Sequence, residues 1–130
     1  ALEDLSITAN STHAFDVHFN MFGQSIELSN NANASLFRIT QELLNNIVKY
    51  AEATEVNIQL TFSENWLSLS VEDNGIGFDP KLKTLGMGLK SIIFRAEHIG
   101  GSTEIESQEN KGTLVIINIP IQTNLKTLDT

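Results

Sequence analysis

The sequence has no cysteine. That excludes disulfide staples and every metal site built on thiolate. It contains two prolines, one tryptophan and one tyrosine, so neither a proline-rich spacer nor an aromatic-rich surface is present. Basic residues are scarce: eight Lys and Arg stand against 16 Asp and Glu, a formal net charge of −8. A nucleic-acid surface needs clustered Lys and Arg, so that class is disfavoured. No apolar run approaches the ~18 residues of a membrane span. The chain opens Ala1-Leu2-Glu3-Asp4, acidic at once and unlike a secretory leader. The abrupt start points to a piece of a longer chain.

At 130 residues with 41% hydrophobic content, the expectation is one domain that buries a core without staples. We expect its ordered part over about 12–121, with fraying ends. Phe15, Val17, Phe19 and Met21 alternate with polar residues as a half-buried strand does. Gly23 then permits a turn into a second short strand over 25–28. The helix that follows is expected from about Leu36 to Tyr50, capped by Asn33 or Ser35, with Leu36, Ile39, Leu43 and Ile47 facing the core. Val56 to Phe62 and Leu67 to Val71 alternate as a hairpin, and Leu89 to Ile99 forms a second amphipathic helix stopped by Gly100-Gly101. Thr103 to Ser107 and Leu114 to Ile119 read as two more strands, with a polar tail beyond Pro120. Two helices and about six strands make an α+β fold, a two-layer α/β sandwich whose sheet is covered on one face by helices.

Three segments carry chemistry. In the first helix Glu42, Asn46 and Lys49 fall at i, i+4 and i+7, a narrow stripe at the border of the apolar face. Asn46 offers a neutral oxygen to magnesium, Glu42 can orient or deprotonate a hydroxyl or water, and Lys49 can reach a phosphate. Alone, the stripe is more simply a solvated flank. But Asn45-Asn46 inside a helix loses propensity that something should offset. Next, Asp73-Asn74-Gly75-Ile76-Gly77 follows a strand directly. A carboxylate accepts hydrogen bonds only, which suits the exocyclic amine of adenine and repels the acceptor that guanine puts there. Gly75 and Gly77 allow close approach of backbone to a base. The plainer alternative, a hairpin turn, is weakened because no strand returns at once. Last, Gly86-Met87-Gly88-Leu89 opens the second helix, where free N–H groups favour an anion. It is neither a dinucleotide fingerprint nor a Walker loop. Thr113, after Gly112, can help read the adenine edge. His13, His18 and His98 show no metal spacing. Trp66 points to the face opposite Leu67 and Leu69, a candidate contact with another domain.

In this order the segments resemble the ATP-binding domain of the gyrase, Hsp90, histidine kinase and MutL superfamily. More narrowly, they resemble the catalytic and ATP-binding domain of bacterial sensor histidine kinases of the nitrate-sensor and DesK-like subfamily. Arg38-Ile39-x-Gln41-Glu42-x-Leu44-x-Asn46-x-x-Lys49-x-Ala51 matches the asparagine box. Asp73-x-Gly75-x-Gly77 and Gly86-x-Gly88-Leu89 match the glycine boxes, and Arg95-Ala96-Glu97-x-Ile99-Gly100-Gly101 with Gly112-Thr113 match the closing segments. Tyr50 stands where the subfamily often has His, and Ser91 to Phe94 lacks its usual glycine, methionine and glutamate.

The resemblance implies a Bergerat-type fold with ATP and Mg2+ as ligands. Asn46 would hold the metal, Glu42 would be the base or orienting carboxylate, Lys49 would touch phosphate and Asp73 the adenine amine. Gly86 and Gly88 would flank a short lid. It further implies a cytoplasmic domain with no direct membrane contact, in a homodimeric parent whose membrane anchoring is left open. There the γ-phosphate would pass to a histidine on a separate dimerisation and phosphoacceptor helical domain, and then to a response regulator. The alternative within the same superfamily is an anti-sigma-factor-type serine kinase.

Overall fold

The computed structural model describes residues 15–77 and 87–125. Strand β1 (Asp16–Phe22) is followed by helix α1 (Asn30–Asn46), which runs on as a π-helical turn (Ile47–Ala51). Strands β2 (Glu55–Phe62) and β3 (Trp66–Asp73) come next, then helix α2 (Met87–His98) and strands β4 (Ser102–Ser107) and β5 (Thr113–Pro120). A 3-10 turn, Gln122–Asn124, ends the described chain.

The five strands form one sheet in the order β1-β2-β3-β5-β4. β1 lies parallel to β2, while β2 with β3, β3 with β5 and β4 with β5 are antiparallel. Parallel neighbours need a crossover, and α1 supplies it. The register sorts the side chains by face. Val56, Ile58 and Leu60 align with Asp73, Val71 and Leu69, and β5 adds Val115 beside Val71, Ile117 beside Leu69 and Ile119 beside Leu67. These apolar residues are buried in one cluster with Leu36, Ile39, Leu43 and Leu44 of α1 and Ile92, Ala96 and Ile99 of α2. The helices therefore cover one face, as the alternation requires. Trp66 projects from the other and is 49% exposed.

Four expectations need correction. The sheet has five strands rather than six. Residues 25–28 form no strand, and Leu28 makes an isolated bridge to Leu125 instead. The first helix starts earlier than Leu36, because the cap is Ser29, whose hydroxyl accepts from the Ala32 amide at 3.1 Å. Neither Asn33 nor Ser35 caps it: both lie within the first turns of α1, where Ala32 is buried. The tail does not fray directly after Pro120 either. Ile121 and Asn124 are buried, and Asn124 Nδ2 donates to the carbonyls of Ile99 (2.9 Å) and Pro120 (2.7 Å). The Ser29 amide donates to the Asn124 carbonyl at 2.8 Å, so the chain end clasps the start of α1.

Candidate nucleotide site

Asp73 is the last residue of β3 and faces the helical side, paired across the sheet with Val56 and Thr113. It is 6% exposed, a rare setting for a carboxylate. Its oxygen Oδ1 accepts the Gly75 amide at 2.8 Å. Burial pushes the carboxyl above its ordinary value of 3.8, and neighbouring Glu72 adds to that, while the backbone amides of Gly75 and Thr113 pull it back. The acid is thus biased toward protonation, and a donor brought by a ligand would relieve it.

Glycine at 75 is dictated by packing. A Cβ there would stand 2.0 Å from the carbonyl oxygen of Ala51. That carbonyl accepts the Ile76 amide at 2.7 Å. The turn after Asp73 is therefore bonded to the π-helical end of α1. Gly77, at a φ of 60°, packs on the carbonyls of Gln108 and Gly112, and the Asn110 amide donates to the Ile76 carbonyl. Thr113 opens β5 beside Asp73, and its hydroxyl pairs with Ser107 Oγ at 2.8 Å. Asp73, Gly75, Gly77 and Thr113 thus form one group.

Asn46 is the last residue of α1 and is half-buried, as is Glu42 one turn earlier. Asn46 precedes Ala51 by five residues, less than roughly 8 Å of helical rise. The Ala51 carbonyl meets the turn after Asp73, and Asn46 stands just before the π-helical turn that carries it. Lys49 departs from the sequence reading. It is exposed and lies inside the π-helical turn, where each residue rotates by less than the ~100° of an α-helix. The α-helical phase that put it in one stripe with Glu42 and Asn46 ends at Asn46. Gly88 sits in the first turn of α2 rather than before it, and Leu89 packs half-buried against the core. Their link to the rest runs through α2, which packs on α1. Gly86 lies outside the described residues, as does the rest of 78–86.

Sequence reasoning missed three contributors. Asn74 reads as a turn residue, yet its side chain makes three hydrogen bonds to Thr54 and Glu55. Ser107 orients the Thr113 hydroxyl. Ala51 supplies the carbonyl that anchors the glycine turn. An asparagine between a buried aspartate and a glycine was the available signal for the first; nothing local marked the other two.

A depression of about 420 Å3 lies across the sheet, lined by Glu55, Asn57, Glu72, Glu106, Lys111 and Leu114 with the strand end at Asp73. Its three glutamates repel a polyanion, whereas the row that holds Asp73 continues into the buried residues of the helical side. No group of three or more His, Asp or Glu poised for a metal occurs among the described residues. Magnesium does not require one: it is usually bound through one or two protein oxygens plus phosphates and water. A half-buried Asn46 fits that role.

The model of the histidine kinase-, DNA gyrase B-, and HSP90-like ATPase family matches residues 31–123. The oxygen sensor histidine kinase NreB of Staphylococcus carnosus (strain TM300) is 34% identical over 134 aligned residues, covering 93% of this chain and 38% of that protein. The sensor histidine kinase LiaS of Bacillus subtilis (strain 168) is 38% identical over 99 residues, 75% of this chain and 28% of that protein. The chain thus spans less than two fifths of the length of either relative. In fold it is similar to the histidine kinase domain of the Erythrobacter litoralis EL346 blue-light activated histidine kinase, with a TM-score of 0.72 at 19% identity, covering 93% of this chain and 63% of that one. A second structure of that kinase gives 0.75 at 18% identity, covering 93% and 44%. The matched stretch takes in α1, the Asp73 turn, α2 and the start of β5, and the chain belongs to the histidine kinase-, DNA gyrase B- and HSP90-like ATPase family.

Proposed function

We propose that this domain binds magnesium-ATP and that, within a longer sensor kinase, it delivers the γ-phosphate to a histidine on a helical dimerisation domain, from which it passes to a response regulator. The observation that carries the reading is the bond between the Asp73 turn and the end of the asparagine-box helix, Ile76 amide to Ala51 carbonyl at 2.7 Å. It joins the turn that follows Asp73 to the π-helical turn that follows Asn46, which supports one nucleotide meeting both.

Each residue has a defined task. Asp73 accepts from the adenine amine, and Thr113 supports that edge with its hydroxyl. Gly75 and Gly77 keep the backbone clear of the base. Asn46 would hold magnesium through its side-chain oxygen, and the ion would supply charge neutralisation at the phosphates. Glu42 orients or deprotonates the incoming nucleophile from its position beside Asn46. Lys49, exposed on the π-helical turn, attracts phosphate at longer range. Gly86 and Gly88 leave backbone amides near the start of α2 for the phosphates. Catalysis in such a site is positioning and charge neutralisation rather than covalent chemistry. The acceptor histidine and the homodimer belong to the parent chain, and the domain itself works in the cytoplasm.

Calorimetric titration tests this. ATP should bind in the micromolar-to-millimolar range with magnesium, and GTP much more weakly. Asn46→Ala should abolish the magnesium dependence. Equal affinity for ATP and GTP removes the Asp73 assignment, and an unchanged magnesium requirement in Asn46→Ala removes that of Asn46.

A further inference from the structure

Asn74 faces away from Asp73 and is solvent-exposed, yet its side chain is nearly saturated. Its Oδ1 accepts the backbone amides of both Thr54 and Glu55, each at 2.9 Å. Its Nδ2 donates to Thr54 Oγ1 at 2.8 Å, and its own amide reaches the Glu55 carbonyl at 3.3 Å. Thr54 stands two residues after Glu52, the left-handed residue (φ 51°) that ends the π-helical turn. The Thr54 carbonyl also accepts the Asp16 amide at 2.9 Å. The start of β2 and the end of β3 therefore meet at this one side chain, and Thr54 ties the start of β1 to the same point.

On the other flank of the turn, Ile76 bonds to Ala51. Gly75 lies between the two anchors and donates the amide that orients the Asp73 carboxylate. With both anchors in place the carboxylate has a fixed position relative to α1. With the Asn74 side chain gone, its tie to Thr54 is lost, and the Ile76 link, the Asn74 amide bond to Glu55 and the pairing of Asp73 with Val56 are left to set that distance. Exposed hydrogen bonds usually add little to global stability, so three of them on one side chain are better explained by geometry than by fold energy.

We propose that Asn74 is a positioning residue for base selection: it sets the Asp73 carboxylate in register with the helix that bears Asn46, so that one nucleotide can meet both. This rests on the magnesium-ATP reading given above. A misplaced carboxylate still lies near the base, but it no longer distinguishes an amine from a carbonyl oxygen. Loss of Asn74 should therefore lower the ATP-to-GTP affinity ratio, an effect that mere loosening of the fold does not produce.

The test is calorimetry of wild type, Asn74→Ala and Thr54→Val with magnesium-ATP and magnesium-GTP, alongside melting temperatures without nucleotide. Asn74→Ala should weaken ATP about tenfold and bring the ratio toward one. Thr54→Val keeps both amide bonds but loses the third, and should lower the ratio measurably, by about twofold to threefold. If Asn74→Ala does not fold, a measurable ratio shift in Thr54→Val supports the proposal and an unchanged ratio overturns it. Unchanged ATP affinity in Asn74→Ala overturns it, as does equal weakening of both nucleotides, which would mean a structural role alone. A wild-type protein that binds no ATP overturns the functional reading itself, which the ratio in Asn74→Ala cannot do.

Discussion

Asp73 carries two opposed demands. Recognition of an amine wants a charged acceptor, and the buried end of β3 resists charge. Its carboxyl is raised above 3.8, so the folded chain binds this proton more tightly than the unfolded chain does. Stability from this group falls as pH climbs through the window between 3.8 and the raised native value, and the ionised form remains a burden above it. The substitution Asp73→Asn keeps an acceptor for the Gly75 amide and removes the charge. This variant should thus melt at or above the wild-type temperature at pH 7, with the gap closing below about pH 4, while ATP binding weakens at least about tenfold. Thermal melts across pH check the first part, and a clearly lower melting temperature at pH 7 would contradict it. Gly75 makes the complementary case. A Cβ would be driven into the Ala51 carbonyl, so Gly75→Ala should break the Ile76 bond and weaken ATP binding beyond any effect of the same change at an open surface position. The carboxylate before two glycines was legible in the sequence because strand alternation ends there. The Ala51 and Asn74 contacts were not, since they join segments about twenty residues apart that only the fold brings together.

Among elements, α1 differs most from its sequence reading. Its apolar residues do face the core, and the buried Thr40 returns its hydroxyl to the Leu36 carbonyl at 2.8 Å. Periodicity fixed that face. It could not fix the start, where Ser29 wins over later polar residues because Asn124 and Leu125 dock against this end. Ser29→Ala should cost about 1 kcal/mol, read by denaturant unfolding. Nor could periodicity reveal the π-helical turn, whose register departs from the repeat used to read the helix. The second helix, α2, was legible to within two residues, because its apolar spacing and the paired glycines agree. The Gly101 amide closes it on the Ala96 carbonyl at 2.8 Å. Ile92 at its centre is fully buried against the sheet cluster. Ile92→Ala should remove about 2–5 kcal/mol, and a loss under about 1 kcal/mol would show that the packing of α2 matters less than its burial implies.

At the scale of the molecule, one helical layer on one sheet face brings the end of β3 and the start of β5 beside the π-helical turn that follows α1. The architecture followed from alternation and helix count. The strand order did not, because β5 enters between β3 and β4 by a long-range pairing that no local pattern encodes. The net charge of −8 makes a neutralising cation more valuable to a bound triphosphate, so raising magnesium should strengthen ATP binding more than an equal ionic strength of sodium does. The most direct test of the central claim is a crystal structure of the protein with magnesium and a non-hydrolysable ATP analogue. The account predicts the adenine amine on the Asp73 carboxylate and the metal on the Asn46 oxygen within a single bound nucleotide. A nucleotide seated on the Glu55, Glu72 and Glu106 face, or one that reaches Asp73 without reaching Asn46, would contradict it.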